Sequence, residues 1–289
     1  MPNTLGRISL GGSGVSSVEE RRLKALEVAS ARAAALAAQL DDGVEVASDH
    51  GLPAALLCAY YAVRTSRLLS AVVRLCEDGF GIESQSLLRS MLQDMADVRY
   101  VATDPGQLCE SWREHESRRR YYVYTTHVDH SETEPPADFD DLEALIDRDW
   151  YEAKELAARR LHKSPANVSR TEARKYLLKD RWTRLSIRQA AEAADLKYPD
   201  TLELFRWYPY LSEHSHGSPA MARDYLHKQD GRPFIKAHPD PRFKSASMAI
   251  AALVYAHATT TGLRDIGLKC EPQRLIDDIS FDGIEFGDL

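Results

Sequence analysis

Residues 52–77 read LPAALLCAYYAVRTSRLLSAVVRLCE, a run in which apolar side chains recur every three or four positions. That spacing is typical of an α-helix with one buried face. Pro53 stands in the first turn, where proline is tolerated, and Gly79 and Gly81 end the run. A long amphipathic helix of this kind predicts a helical bundle.

The segments on either side carry the same signal. The capping box Ser17-Val18-Glu19-Glu20 predicts an alanine-rich helix that runs to about Leu40. Further helices are predicted at about 82–102, from Pro105 through the Tyr121–Tyr124 cluster, and at 139–160, 169–180, 186–195 and 245–263. No series of alternating apolar and polar residues predicts a sheet of any size. The expected fold is all-α, a helical bundle with additional C-terminal helices and a short irregular tail.

The helices are expected to bury one shared core. Residues 1–16 are rich in Gly and Ser and predict a flexible leader. Residues 127–138 are polar, contain Pro135-Pro136, and predict a linker or mobile loop. The remaining parts are N-terminal helices within 17–126, C-terminal helices within 139–268 that complete the same core, and a tail at 269–289.

Composition excludes several classes of protein. The 289 residues are 44% hydrophobic and 28% charged, the composition of an ordinary globular protein. A net charge of −7 argues against a protein that coats nucleic acid, because such binding rests on Lys and Arg. We find no run of about 20 apolar residues of the kind a spanning helix needs and no export signal, so we expect a cytoplasmic protein without a membrane partner.

The pattern of cysteines also favours a cytoplasmic protein. The four cysteines are scattered without a Cys-x-x-Cys pair, which predicts reduced thiols and no structural zinc: Cys58, Cys76, Cys109 and Cys270. A basic run between Arg159 and Arg188 is interpreted either as a solvated helix surface or as a local basic patch.

Residues 186–196 look like the first helix and turn of a DNA-binding helix-turn-helix. The turn lacks its usual glycine, and the segment that follows holds the bulky residues Tyr198, Phe205 and Trp207, which favour burial over a DNA groove. We therefore do not expect sequence-specific DNA binding.

The most informative polar stretch is Tyr208–Pro219. On a helix, Ser212 and His216 share one face, whereas His214 points elsewhere. Gly217 follows His216 and predicts a helix end, where the dipole favours the protonated imidazole. His216 is thus either a proton-transfer group or a capping residue that bonds terminal carbonyls.

Metal binding is a third interpretation of the same stretch. His214, His216 and Glu213 could act as ligands, as could the cluster Glu110, Glu114, His115 and Glu116. The Glu-x-x-His pairs that di-metal bundles carry on two helices are absent, so we expect neither a metal nor another cofactor.

Arg89 interrupts an apolar helix face between Leu88 and Met91. A buried guanidinium needs an acceptor, and the candidates are Asp94, Glu83, Glu213 or the carbonyls that end the His216 helix. If Arg89 and His216 converge on a pocket, they can bind a phosphate and transfer protons. If they only join two helices, they form a structural clasp.

Two segments together carry a family resemblance. The first is Leu87-Leu88-Arg89-Ser90-Met91-Leu92-Gln93-Asp94, followed by Tyr100 and Asp104-Pro105. The second is Tyr208-x-x-Leu211-Ser212-x-x-x-His216-Gly217-Ser218. Over roughly residues 50–226 the chain resembles a family of uncharacterised helical bacterial proteins with an Arg-Ser-x-x-Glu helix, which in turn are similar to HEPN bundles, many of them ribonuclease toxins or phage-defence components.

The resemblance implies a HEPN-like core and a site of His216, Arg89 and Ser212, with Tyr208 in support. Beside the residues that the resemblance implies, we expect Glu213, His214, Asp94 and Gln93 to act as binding residues. Two features depart from the pattern: Gln93 replaces the family's Glu, and Arg206 lies too far before His214 and His216 for the HEPN ribonuclease signature.

The expected function follows from this resemblance. It is a cytoplasmic RNA- or nucleotide-directed component of a stress or phage-defence module, in the form of a metal-independent ribonuclease, and a homo-oligomer. The alternatives are a non-catalytic helical interaction or oligomerisation protein and a metal-dependent helical-bundle enzyme.

Overall fold

The structure is a computed structural model that describes residues 17–40, 45–127, 150–169, 171–173, 185–215, 225–229, 232–235 and 244–271. The first part of the chain holds α1 (Ser17–Leu40), β1 (Glu45–Ser48), α2 (Leu52–Glu77), α3 (Gln85–Val101), α4 (Pro105–His127) and α5 (Trp150–Leu161). The second holds α6 (Ile187–Asp195), α7 (Thr201–Phe205), α8 (Tyr208–Ser215), β2 (Leu226–Gln229), β3 (Arg232–Ile235), α9 (Lys244–Thr260), a π-helical turn (Thr261–Asp265) and β4 (Leu268–Glu271). The all-α fold is confirmed.

Most predicted helices appear at their predicted places. Helices α1 and α2 have the predicted bounds, and α4 does continue through the tyrosine cluster. Helix α3 begins at Gln85, three residues later than expected, because residues 81–84 form a turn after Gly79, whose φ is +86°. The segment that follows Tyr198 divides into α7 and α8 at a turn over Arg206 and Trp207.

Helix α9 occupies the centre of the core. Every residue from Ser247 to Ala256 is buried, as expected of a helix that is apolar on all sides. Its alanines let α1, α2 and α3 pack closely around it. One core cluster joins Leu26 of α1, Leu69 of α2, Met91 of α3 and Leu253 of α9. Helices from the two ends of the chain therefore share this cluster.

Strand pairing is limited to two short antiparallel pairs among the described residues, β1 with β4 and β2 with β3. The first places Glu45 opposite Glu271 and Ser48 opposite Leu268, and the Ser48 hydroxyl donates to the carbonyl of Ile266 at 2.6 Å. This pair fixes the π-helical turn against the start of α2. A Cβ atom on Gly262 would lie 2.8 Å from Cys58 Sγ, so the close approach requires glycine.

By length and composition alone, α2 is a candidate membrane span, the single such helix in the described ranges. Its buried residues pack against α1, α3 and α9, an arrangement that a core helix also produces.

Several predicted features lie outside the described residues. They are the leader 1–16, residues 128–138 of the predicted linker, residues 139–149 of the helix predicted at 139–160, residues 170 and 174–184 of the basic run, His216, and residues 272–289 of the tail. Most of the helix predicted at 169–180 falls within that part of the basic run.

Candidate functional site

Helix α3 presents one half-buried polar side. Ser86, Arg89, Ser90 and Gln93 are half-buried and fall on one side of the helix. The opposite side, with Leu88, Met91, Leu92 and Met95, is fully sealed in the core. We call the four half-buried residues the α3 polar face. It lies between α2 and α8, both of which pack against α3.

Arg89 lies at the α8 edge of this face and rests on an aromatic ring. Its Cζ atom is 5.3 Å from the centroid of the Tyr208 ring, which stacks on Phe205 at 4.7 Å and 13°. Two of the expected elements, the Arg89 helix and the Tyr208 helix, are thus in contact. Ser212 lies one turn after Tyr208 and is also half-buried.

Arg89 makes no hydrogen bond within the described part of the chain. Its Nε atom is buried without a partner, as is the Nε atom of Arg99. None of the candidate carboxylates acts as an acceptor for Arg89. Asp94 pairs with Arg64, Glu83 accepts from the Tyr225 hydroxyl at 3.3 Å, and Glu213 is exposed. A guanidinium in this state is poised to bind an anion.

The α2 edge of the face carries an ion pair. Arg64 donates from Nε to Asp94 Oδ2 at 2.7 Å, and Tyr61 donates to the neighbouring carboxylate of Asp97 at 3.5 Å. Burial raises the pKa of Asp94 to about 7, with Arg64 opposing that rise and Asp97 adding to it. Asp94 therefore changes charge near neutral pH.

Sequence reasoning missed a second polar cluster, on the other side of α3. Arg99 is 3% exposed. Its Nη1 donates to Asp200 Oδ1 at 2.8 Å and to Thr201 Oγ1 at 2.9 Å, and its Nη2 donates to Asp200 Oδ2 at 3.1 Å. His257 Nδ1 lies 2.6 Å from the same Nη2. Arg99 therefore joins α3, the start of α7 and α9.

His257 is neutral in this cluster. Burial first, and Arg99 second, lower the pKa of its imidazole to about 4, although Asp200 opposes the change. Because a guanidinium nitrogen only donates, Nδ1 accepts from Arg99 and the ring hydrogen is on Nε2. The 3.1 Å separation between Nδ1 and Asp200 Oδ2 is therefore not an ion pair.

Tyr198 closes the cluster from the side of the π-helical turn. Arg99 Cζ and Lys197 Nζ lie 5.2 Å and 5.5 Å from its ring centroid, and its hydroxyl donates to Asp265 at 2.5 Å. Burial, with this bond to Asp265, raises the pKa of the phenol. Lys197 also donates to the carbonyl of Ala102 at 2.7 Å, which caps the end of α3. These contacts describe a structural clasp.

One signal in the sequence could have found this clasp. Arg99, like Arg89, interrupts the apolar pattern of α3 and must find acceptors. Its partners Asp200 and His257 are far away in sequence and belong to no local motif. The sequence therefore could not predict that they pair with Arg99.

The remaining predicted site residues fall as follows. Gln93 is half-buried on the α3 polar face, and the side chain of His214, like all of His216, lies outside the described residues. Across the described ranges, no group of three or more His, Cys, Asp or Glu side chains is placed to hold a metal ion.

Fold and site together define an all-α protein with a polar face on one core helix and a clasp on the opposite side of it. The chain belongs to a family of unknown function, DUF5677, whose model matches residues 55–233. The match covers both arginines of α3 and Tyr208, and it stops before His257. The resemblance to a helical family of uncharacterised proteins is confirmed at that level. No curated protein and no solved structure shows significant similarity to the chain.

Proposed function

We propose that this protein is a cytoplasmic, RNA- or nucleotide-directed component of a stress or phage-defence module, with a HEPN-like core and a phosphate site on the α3 polar face. The observation that carries the proposal is the state of Arg89. The residue is half-buried, its Cζ atom lies 5.3 Å from the centroid of the Tyr208 ring, and its buried Nε has no partner among the described residues.

The energetics favour an anionic ligand at this point. A phosphate oxygen would give the terminal nitrogens of Arg89 an acceptor, and a charge-assisted hydrogen bond of this kind is stronger than a neutral one. A guanidinium also binds phosphate through two parallel hydrogen bonds. Ser86, Ser90 and Gln93 add hydroxyl and amide groups along the same face, which suit the remaining oxygens of a nucleotide.

In its catalytic form the proposal assigns proton transfer to His216. The imidazole takes the proton of a ribose 2′-hydroxyl, the 2′-oxygen attacks the adjacent phosphorus, and the 5′-oxygen leaves and is protonated by water. The products are a 2′,3′-cyclic phosphate and a 5′-hydroxyl. In this proposal Arg89 holds a phosphate of the RNA other than the one that reacts.

The test is binding and cleavage of a labelled RNA by the wild type and Arg89→Gln. The matched control is Arg206→Gln, because Arg206 also lies over an aromatic ring, 5.7 Å from Trp207, but is exposed and paired with Glu203. We expect Arg89→Gln to weaken RNA binding roughly 10-fold to 100-fold, and Arg206→Gln to change it little. Equal affinity of all three proteins would contradict the proposal.

His216→Ala tests the chemistry separately. It should keep RNA binding and lose cleavage and growth arrest in cells. Cleavage at the wild-type rate would remove His216 and the ribonuclease mechanism, while leaving the binding site in place.

A second candidate function, oligomerisation or partner docking without catalysis, is favoured by an apolar stripe on α2. Leu52, Leu56 and Tyr60 recur every four residues and are 61%, 45% and 47% exposed, which is unusual for three neighbouring large apolar side chains. Light scattering on the wild type and on Leu56→Lys tests it. A smaller mass for the variant supports this function, and equal masses contradict it.

A further inference from the structure

Arg64 has a guanidinium that is only partly used. Its Nε atom bonds to Asp94, and its side chain is 40% exposed. The terminal nitrogens Nη1 and Nη2 have no partner in the part of the chain that the structure describes. Those two nitrogens form the side of the guanidinium that binds phosphate oxygens in pairs.

Asp94 fixes the direction in which Nη1 and Nη2 of Arg64 point. Its side chain is 7% exposed, so it is an anchored acceptor below the surface, and it engages the inner nitrogen of Arg64 alone. The ion pair thus orients Arg64 without occupying its outer edge. Arg64 differs in this respect from Arg99, whose terminal nitrogens are both bonded.

Arg64 and Arg89 lie at opposite edges of the α3 polar face. Asp94, which holds Arg64, is five residues after Arg89, a distance of about 7.5 Å along the helix axis. Five residues also rotate the position by about 140°, because a residue turns roughly 100°. Ser86, Ser90 and Gln93 fall between the two edges.

We infer that Arg64 and Arg89 form a two-point clamp that binds two phosphates of one single-stranded RNA across the α3 polar face. The inference rests on the proposed function and narrows its ligand from any nucleotide to a chain of phosphodiesters. A mononucleotide has one phosphate and engages Arg89 alone. The acidic net charge of −7 argues against sequence-independent coating of RNA, since such coating needs many cations.

Other charged groups near α3 do not compete for the clamp. Asp97 lies beside Asp94 and accepts from Tyr61. Asp200 and His257 are engaged with Arg99 on the other side of the helix. The charge of Asp94 is opposed by burial and compensated by Arg64.

The experiment compares an eight-uridine RNA with uridine monophosphate. The main variant is Arg64→Gln combined with Asp94→Asn, which avoids a buried carboxylate without its partner, and its reference is Asp94→Asn alone. Arg67→Gln, an exposed arginine on the same helix, is the matched control. RNA binding is measured by fluorescence anisotropy over a series of salt concentrations, and monophosphate binding by calorimetry.

We expect the double variant to bind the RNA at least roughly 10-fold more weakly than its reference, with a salt slope reduced by about one. Monophosphate affinity should be equal in the two proteins, and Arg67→Gln should match the wild type with both ligands.

Three other outcomes overturn the clamp. If the double variant keeps full RNA affinity while Arg89→Gln loses it, the clamp is wrong and the proposed function stands. If neither the double variant nor Arg89→Gln weakens RNA binding, both the clamp and the proposed function are wrong. If the double variant loses monophosphate and RNA affinity equally, Arg64 belongs to a single-phosphate site and the two-point clamp is wrong.

Discussion

Arg89 and Arg99 belong to the same helix and interrupt the same apolar pattern, yet their guanidinium groups are in opposite states. Arg99 is buried and donates from both terminal nitrogens to Asp200, Thr201 and His257. Arg89 touches the ring of Tyr208 and has no described acceptor. The Nε atoms of both arginines are buried without a partner, so the difference lies in the terminal nitrogens. Arg99 uses its terminal nitrogens to join helices, whereas those of Arg89 have capacity left for a ligand.

The largest effect should come from removing the Arg99 guanidinium. Arg99→Ala leaves the Asp200 carboxylate and the His257 ring without their shared donor, and breaking one partner of a buried pair costs about 3–5 kcal/mol. Asp200 is 33% exposed, so we expect the low end of that range. Urea unfolding measures the free energy directly. A loss under about 1 kcal/mol would show that the clasp is only a surface pairing.

The second effect is a loss of folding stability at acid pH that is caused by His257. Its folded-state pKa is about 4, below the ordinary value of 6.5, so the unfolded chain takes up a proton at a higher pH than the folded one. The clasp's contribution to stability should therefore be complete above pH 6.5 and be lost as the pH falls to 4. His257→Gln keeps an acceptor for Arg99 and should lack this loss. Equal pH dependence in the variant and the wild type would contradict a neutral His257.

The third effect is a gain in folding stability at acid pH, opposite to the effect of His257, and it is caused by Asp94. Its folded-state pKa is about 7, above its ordinary value of 3.8, so the folded state takes up the proton first. Stability should rise from this group as the pH falls from about 7 to 3.8. Asp94→Asn should remove that rise and expose the acid sensitivity of His257 more clearly. Unfolding curves of both proteins at pH 5 and pH 8 provide the check, and an unchanged difference between the two pH values would exclude the assignment.

The smallest effect on stability should come from Arg89. Without a hydrogen bond or ion pair among the described residues to lose, Arg89→Gln should change the free energy of unfolding by no more than about 0.5 kcal/mol. Thermal melts of this variant beside Arg206→Gln measure the difference. A loss comparable to that of Arg99→Ala would make Arg89 a second clasp and remove the basis for a ligand there.

The sequence predicted the long helices well because their signals are local. The capping box of α1 and the apolar period of α2 predicted the bounds of these helices, Pro105 predicted the start of α4, and the apolar run after Ser245 predicted α9. Helix α3 started late because a turn after Gly79 competes with helix formation. The site was predicted in part: Arg89 and Tyr208 do meet, because an arginine on an apolar face must find something to touch.

The clasp and the free edge of Arg64 could not be predicted in the same way. The Arg99 partners lie about a hundred residues or more away, and their meeting depends on how α7 and α9 pack. Asp94 was assigned to Arg89 as a candidate partner, but the packing of α2 places Arg64 closer. Such choices between equivalent charges are made by tertiary geometry, which has no local pattern.

The most direct test observes the Nε–H groups of both arginines by ¹⁵N NMR during titration with the eight-uridine RNA, with signals assigned from Arg89→Lys and Arg99→Lys. The account predicts that the Arg89 signal shifts with saturation while that of Arg99 stays in place. An Arg89 signal that is unmoved at saturating RNA, or one that moves no more than the Arg99 signal, would contradict it.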